Sequence, residues 1–199
     1  MKIQSAVFEV SSPNLDLCPR LALPEFAFIG RSNVGKSSLI NMLTGKPSLA
    51  KVSDLPGKTR LMNFFTINRN WRLVDLPGYG YAHVAKTERA DFNEAVADYL
   101  RGRENLAGIF VLIDSRLEPQ AIDVDFIEWL ADNEIPFSLI FTKIDKQSIS
   151  QTRSSIARFK DAVLTGFEPT PTTFVSSSKT KVGRNEVLSY ITEHLSDRK

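Results

Sequence analysis

Cysteine is almost missing from this 199-residue chain. Cys18 stands alone, so neither an internal disulfide nor a cysteine-built metal cluster can form, which suits a reducing compartment and an expected cytoplasmic location. Histidine is nearly as scarce, with His83 and His194 only. No charge sign dominates. Lys and Arg number 25 against 23 Asp and Glu, and a net charge of +2 is too small to argue for nucleic acid by itself. Long apolar runs are missing as well. The longest, Ala107 to Ile113, falls far short of the roughly 20 residues of a membrane helix, and MKIQSAVFEV lacks the apolar core of a signal peptide. There is no repeat, low-complexity tract or dividing linker. Apolar residues at 42% and charged residues at 24% are ordinary for a folded soluble domain.

What is present is an alternation of β-rich runs with helical periodicity. Strands are expected at Ile3 to Val10, Glu25 to Ile29, Asn63 to Ile67, Trp71 to Val74, Leu106 to Asp114, Phe137 to Thr142 and Thr172 to Val175. Helical stripes run through Phe92, Ala95, Val96, Tyr99 and Leu100, through Ile122, Phe126, Trp129 and Leu130, and through Val187, Leu188, Ile191 and Leu195. A weaker stripe uses Ile149, Ile156, Phe159 and Val163. This order predicts a three-layer α/β fold with a mostly parallel sheet. Asn68-Arg69-Asn70 is too short for a parallel crossover, so the strands on either side of it should form an antiparallel hairpin. Residues 1–22 read as an N-terminal lead carrying an additional strand, and 23–199 as a nucleotide-binding domain. In such sheets ligands sit beyond the carboxyl ends of the strands.

Gly30-Arg31-Ser32-Asn33-Val34-Gly35-Lys36-Ser37 follows the strand EFAFI and precedes a helical segment. It fits G-x-x-x-x-G-K-[ST], in which glycines let successive N–H groups face phosphate oxygens at a helix N-terminus. Gly30 through Ser37, with Ser38 beside them, are the expected phosphate-binding residues. Lys36 should reach the β- and γ-phosphates and stabilise the charge that develops there, and the Ser37 hydroxyl should bind Mg²⁺. Asp75-Leu76-Pro77-Gly78 ends the strand WRLV. Asp75 there can hold Mg²⁺ through water, and the Gly78 N–H can contact and sense the γ-phosphate. Thr142-Lys143-Ile144-Asp145 closes the strand FSLIFT. The Asp145 carboxylate can accept from the N1–H and N2 amino group of guanine, two donors that adenine lacks, while the Lys143 stem packs over the base. In Val175-Ser176-Ser177-Ser178 a loop of small residues can present N–H groups to the guanine O6, with Ser176 and Ser177 as the candidates. Gly57, Lys58 and Thr59 lie in a polar loop before the hairpin, where Thr59 is the expected second hydroxyl ligand of Mg²⁺ and a surface turn is the alternative.

GRSNVGKSSLIN at 30–41, PGKTR at 56–60, VDLPGYGYA at 74–82 and TKID at 142–145 together resemble the EngB family of bacterial ribosome-assembly GTPases, within the Ras-like P-loop GTPases. Asp114-Ser115-Arg116 with Pro119 and Asp123 also resembles a family pattern. The resemblance implies GTP binding and hydrolysis coupled to late assembly of the large ribosomal subunit by a monomeric switch, with GTP or GDP as ligand. Tyr79 stands where Ras-like enzymes carry the water-orienting Gln, so intrinsic hydrolysis should be slow. Asn33 resembles the Asn that holds a monovalent cation such as K⁺ in related GTPases, with a loop-bracing hydrogen bond as the alternative. His83 is better read as a solvated or docking residue than as a general base. Basic residues gather loosely at Lys51, Lys58, Arg60, Arg69 and Arg72 and at Lys179, Lys181 and Arg184. They are either a solvated face or, if they converge, a surface for rRNA phosphates. A P-loop small-molecule kinase and a nucleotide-stabilised RNA- or protein-binding module are the alternatives from other classes. The kinase has no use for T-K-x-D.

Overall fold

The computed structural model describes residues 1–50, 61–79 and 86–196, without the side chains of 86–93. Among these residues seven strands form one sheet: β1 (Ala6–Ser12), β2 (Glu25–Gly30), β3 (Met62–Ile67), β4 (Trp71–Asp75), β5 (Leu106–Asp114), β6 (Ser138–Thr142) and β7 (Thr173–Val175). The order across the sheet is β1-β3-β4-β2-β5-β6-β7. The pairings of β2 with β4 and β5, of β5 with β6 and of β6 with β7 are parallel, whereas β3 pairs antiparallel with both β1 and β4. Only β3 therefore runs against the rest, as the short Asn68–Asn70 turn predicts. Asn68 and Arg69 both adopt positive φ there.

Among the described residues five α-helices cover the sheet: α1 (Lys36–Thr44), α2 (Lys86–Gly102), α3 (Ala121–Asp132), α4 (Ile149–Val163) and α5 (Arg184–Ser196). Two separate cores mark the two faces. Val96, Tyr99 and Leu100 of α2 join Ile127 and Leu130 of α3 and Phe159 and Val163 of α4 in one cluster. Leu39, Ile40 and Leu43 of α1 join Val187, Leu188 and Ile191 of α5 in the other. That is the three-layer arrangement the sequence implies, with the central strands β2 and β5 buried between helices.

Three expectations shift. β1 begins at Ala6 rather than Ile3, because the Gln4 and Ser5 N–H groups donate to the Asn68 side chain at 2.7 and 3.1 Å instead of to a neighbouring strand. In α3 the deepest positions are Asp123, Ile127 and Leu130, one step round from the apolar stripe, which leaves Ile122, Phe126 and Trp129 on the shoulder of the core. In α4, Ile149 is 74% exposed. Thr152 is buried in its place, and the helix start is fixed by a capping box between Ser148 and Gln151.

Candidate guanine nucleotide site

The phosphate loop leaves the end of β2 and enters α1. Asn33 has φ 61° and Gly35 φ 104°, so the chain turns through two left-handed residues before the helix begins, a geometry glycine adopts without a Cβ penalty. Gly35 is the N-cap of α1, and no side chain caps the helix, which leaves its first N–H groups open to an anion.

Two flanking loops grip this turn. On one side Lys36, 9% exposed, forms an ion pair with the Asp75 carboxylate at the end of β4, itself 4% exposed. Leu76 is tied back by its N–H to the Phe28 carbonyl at 3.0 Å. Gly78 then comes so close that a Cβ on it would lie 2.6 Å from the Gly30 carbonyl oxygen and 3.5 Å from the Ser32 nitrogen. Pro77 carries the chain between these contacts. On the other side the Thr142 hydroxyl, at the end of β6, donates to the Val34 carbonyl at 2.6 Å. Lys143, at φ 60°, donates from Nζ to the Asn33 carbonyl and, at 2.9 Å, to the Asp114 carboxylate. Arg116 adds hydrogen bonds to Asp114 at 2.8 and 2.9 Å. Burial raises the pKa of Asp114, but the Arg116 and Lys143 hydrogen bonds outweigh it and bring it down to about 2.

Asp145 sits one residue beyond Ile144, whose N–H donates to the Ser176 carbonyl at 3.3 Å. The Ser177 hydroxyl donates to the Asp145 carboxylate at 2.7 Å, and this bond, ahead of every other influence, holds its pKa below the usual value. The serine loop after Val175 is thus joined to the Asp145 turn. Its backbone is less free than its sequence suggests. The Ser176 N–H is spent on Phe141 at 2.7 Å and the Ser177 N–H on Val182 at 3.2 Å. Of the three serines only Ser178 has an N–H that makes no hydrogen bond to the backbone of the described residues.

The donor chemistry suits Mg²⁺. A hydroxyl on the first turn of α1 (Ser37) and a buried carboxylate at a strand end (Asp75) are hard oxygens, and this ion takes one or two protein ligands beside phosphate and water. Among the described residues no cluster of His, Cys, Asp and Glu forms a metal cage of its own. Gly57, Lys58 and Thr59, with Lys51, Arg60 and His83, lie outside the described residues.

Two of the basic residues considered for RNA are committed elsewhere. Arg72 is fully buried and pairs with Glu9 and Glu25, and Arg184 donates to the Met42 and Leu43 carbonyls at the end of α1. What the sequence underweighted is Asp123. It is 1% exposed and accepts from Arg31 of the phosphate loop and from Tyr79. Its signal was a carboxylate four positions before Ile127 on the inward face of α3.

Comparison with known proteins shows the family to which this sequence and fold belong. A family model described as a 50S ribosome-binding GTPase matches residues 25–143. The probable GTP-binding protein EngB of Christiangramia forsetii is 51% identical over 191 residues, 96% of each chain. That of Flavobacterium psychrophilum is 52% identical over 194 residues, 97% of this chain and 95% of its own. Among solved structures, a probable GTP-binding protein engB superposes with a TM-score of 0.69 at 22% identity, covering 87% of this chain and 99% of the other. Era of Aquifex aeolicus, bound to GDP and aluminium fluoride, does so with 0.68 at 19% identity, covering 87% of this chain and 57% of its own. At such identities the structural likeness speaks for the fold alone. About half of all residues are shared across nearly the full length of the sequence relatives, and the chain accordingly belongs to the EngB family of GTP-binding GTPases.

Proposed function

We propose that the protein is a Mg²⁺-dependent GTP switch with slow intrinsic hydrolysis that acts on the large ribosomal subunit during its assembly. One observation carries the nucleotide part of this reading: the phosphate loop is bonded on one flank to the Asp75–Gly78 turn and on the other to the Thr142–Asp145 turn. In this reading Gly78 is the phosphate sensor and Asp145 the base selector, one on each flank of that loop.

The phosphates are bound by the Lys36 ammonium and by the N–H groups of the Gly30–Ser38 segment that the fold leaves open, the Val34 N–H being tied to the Arg31 carbonyl. Lys36 exchanges Asp75 for β- and γ-phosphate oxygens, which leaves Asp75 and Ser37, with Thr59, as the oxygens for the metal. Mg²⁺, when bound, neutralises charge on the β- and γ-phosphates. Gly78 donates its N–H to the γ-phosphate, so GTP and GDP leave the turn in different states. Asp145, kept ionised by Ser177, accepts from N1–H and N2 of guanine, Lys143 packs over the base, and the Ser178 N–H takes the O6 contact in place of Ser176 or Ser177. Nothing in the Tyr79 side chain replaces a water-orienting Gln, hence the slow rate. The ribosomal partner rests on the family, whose model is described by 50S binding. Among the described residues Lys179, Lys181 and Arg69, all exposed, are the cations left to meet rRNA phosphates.

The test is GTP turnover by the purified protein with and without large ribosomal subunits, in potassium and in sodium buffer. Stimulation by subunits is expected. Tight GTP binding with turnover that subunits leave unchanged in both salts would overturn the ribosomal part. A rate that rises in potassium alone would assign Asn33 to the cation, and equal rates would assign it to bracing the loop.

A further inference from the structure

Three side chains from distant parts of the chain meet at the first turn of α3. Asp123 accepts from Arg31 Nε at 3.0 and 3.1 Å and from the Tyr79 hydroxyl at 2.9 Å. The Tyr79 ring, 8% exposed, stacks on Phe126 with centroids 4.5 Å apart and an interplanar angle of 23°. Phe126 stacks in turn on Trp129 at 6.0 Å. Arg101 of α2 closes the column, its guanidinium 5.0 Å from the Trp129 ring. Burial, and then the neighbouring Asp123, push the Tyr79 phenol well above its ordinary pKa, so it remains a proton donor to this carboxylate at any physiological pH. One residue earlier, Gly78 rests on the Gly30 carbonyl with no room for a Cβ. The turn expected to sense the γ-phosphate is therefore fixed on the residue next to it by a bond to a carboxylate that also holds the phosphate loop.

We propose that Asp123 is a positioning residue of the switch: by accepting from Tyr79 and Arg31 together, it sets the height of the Gly78 turn above the phosphate loop and hence the reach of the Gly78 N–H to a γ-phosphate. The same bond commits the Tyr79 hydroxyl to α3 and withholds it from any attacking water. The inference rests on the GTP-switch reading above and adds to it a residue that touches neither nucleotide nor metal. Two losses are separable by substitution. Tyr79→Phe keeps the ring stack and the Arg31–Asp123 pair and removes one hydroxyl. Asp123→Ala removes the acceptor from both partners, and Asp123→Asn retains an acceptor oxygen of the same size.

The experiment is calorimetric titration of GDP and of a non-hydrolysable GTP analogue, each with Mg²⁺, into the wild type and the three variants. Affinity for the analogue should fall about ten-fold in Tyr79→Phe and Asp123→Ala, with GDP affinity moving less than about two-fold. Asp123→Asn should recover most of the loss. A packing role alone would weaken both nucleotides together and leave their ratio unchanged, and that result in Tyr79→Phe overturns the proposal. So does an Asp123→Asn variant no better than Asp123→Ala. A wild type that binds neither nucleotide overturns the GTP reading and this inference with it, an outcome distinct from a wild type that binds both while its variants keep its ratio.

Discussion

The Asp145 carboxylate, proposed above to accept from guanine, is oriented by one neighbour, the Ser177 hydroxyl, whose hydrogen bond lowers its pKa. Replacing it by Asn turns half of the acceptor pair into a donor. Asp145→Asn should therefore lose affinity for GTP by about a hundred-fold or more and gain it for the xanthine nucleotide, which presents an acceptor where guanine has its amino group. Competition titration with both nucleotides checks this, and unchanged GTP affinity would remove Asp145 from the base site. Gly78 makes a second residue-scale prediction. A methyl group there meets the Gly30 carbonyl oxygen at 2.6 Å, and since both atoms ride on backbone, the two loops must part. Gly78→Ala should lower stability by about 1–3 kcal/mol and reduce the preference for a GTP analogue over GDP, read by thermal unfolding and by titration. The placement of Gly30–Ser37 between a strand and a helix, and of Asp75, Gly78 and Asp145 after strand ends, was legible in sequence because the proposed chemistry needs particular residue types at particular spacings. The serine loop was not, since three identical side chains give no register and only the backbone bonds of Ser176 and Ser177 reveal which N–H is left.

At the scale of elements, periodicity identified all seven strands and the amphipathic helices, and it misplaced edges wherever a side chain competed with the backbone. Asn68 draws the amides of Gln4 and Ser5 away from the sheet, which no alternation of apolar residues can announce. The inward face of α3 includes a carboxylate, so counting apolar residues turned the helix by one position. A buried ionic network at the opposite end of the sheet from the nucleotide site was likewise invisible, because its members look like surface residues. Glu25, fully buried at the start of β2, accepts from Tyr99 at 2.9 Å, from Arg103 at 2.6 and 2.8 Å and from Arg72 at 3.3 Å. Arg72 also pairs with Glu9 of β1, and Arg72 and Arg103 donate to the Leu21 and Pro19 carbonyls. The network thus joins the N-terminal lead, β2, β4 and the end of α2. Removing one partner of such a cluster leaves buried charge uncompensated, and Glu25→Ala should cost about 3–5 kcal/mol. Urea unfolding should show this as a lower midpoint at constant slope, with guanine nucleotide binding retained wherever the variant remains folded.

Across the whole molecule the shifted carboxylates fix how stability depends on acid. Asp114 titrates at about 2 in the folded protein against an ordinary value of 3.8. Glu9 is lowered, chiefly by its hydrogen bond from Arg72, and Asp145 is lowered too. A carboxyl whose folded pKa is depressed adds stability that is complete above its unfolded pKa and is lost as pH falls toward the folded one. Asp123 works in the opposite sense. Burial raises its pKa against the pull of Arg31 and Tyr79, so the folded state binds its proton sooner and gains stability relative to the unfolded chain as pH drops into that range. Among the described residues three groups against one give a net loss on the acid side. The Asp114 share is about 2–3 kcal/mol at neutral pH, from the distance between 3.8 and about 2. Denaturant unfolding should therefore find the protein markedly less stable at pH 3 than at pH 6. Asp114→Asn should be less stable than the wild type at pH 6 yet lose less between the two, because the group that binds the extra proton on unfolding is gone. Asp123→Asn should steepen the acid loss instead. Equal slopes in all three proteins would mean that neither carboxylate differs in proton affinity between the folded and unfolded chain, and that the hydrogen bonds of Arg116 and Lys143 to Asp114 do not persist in solution.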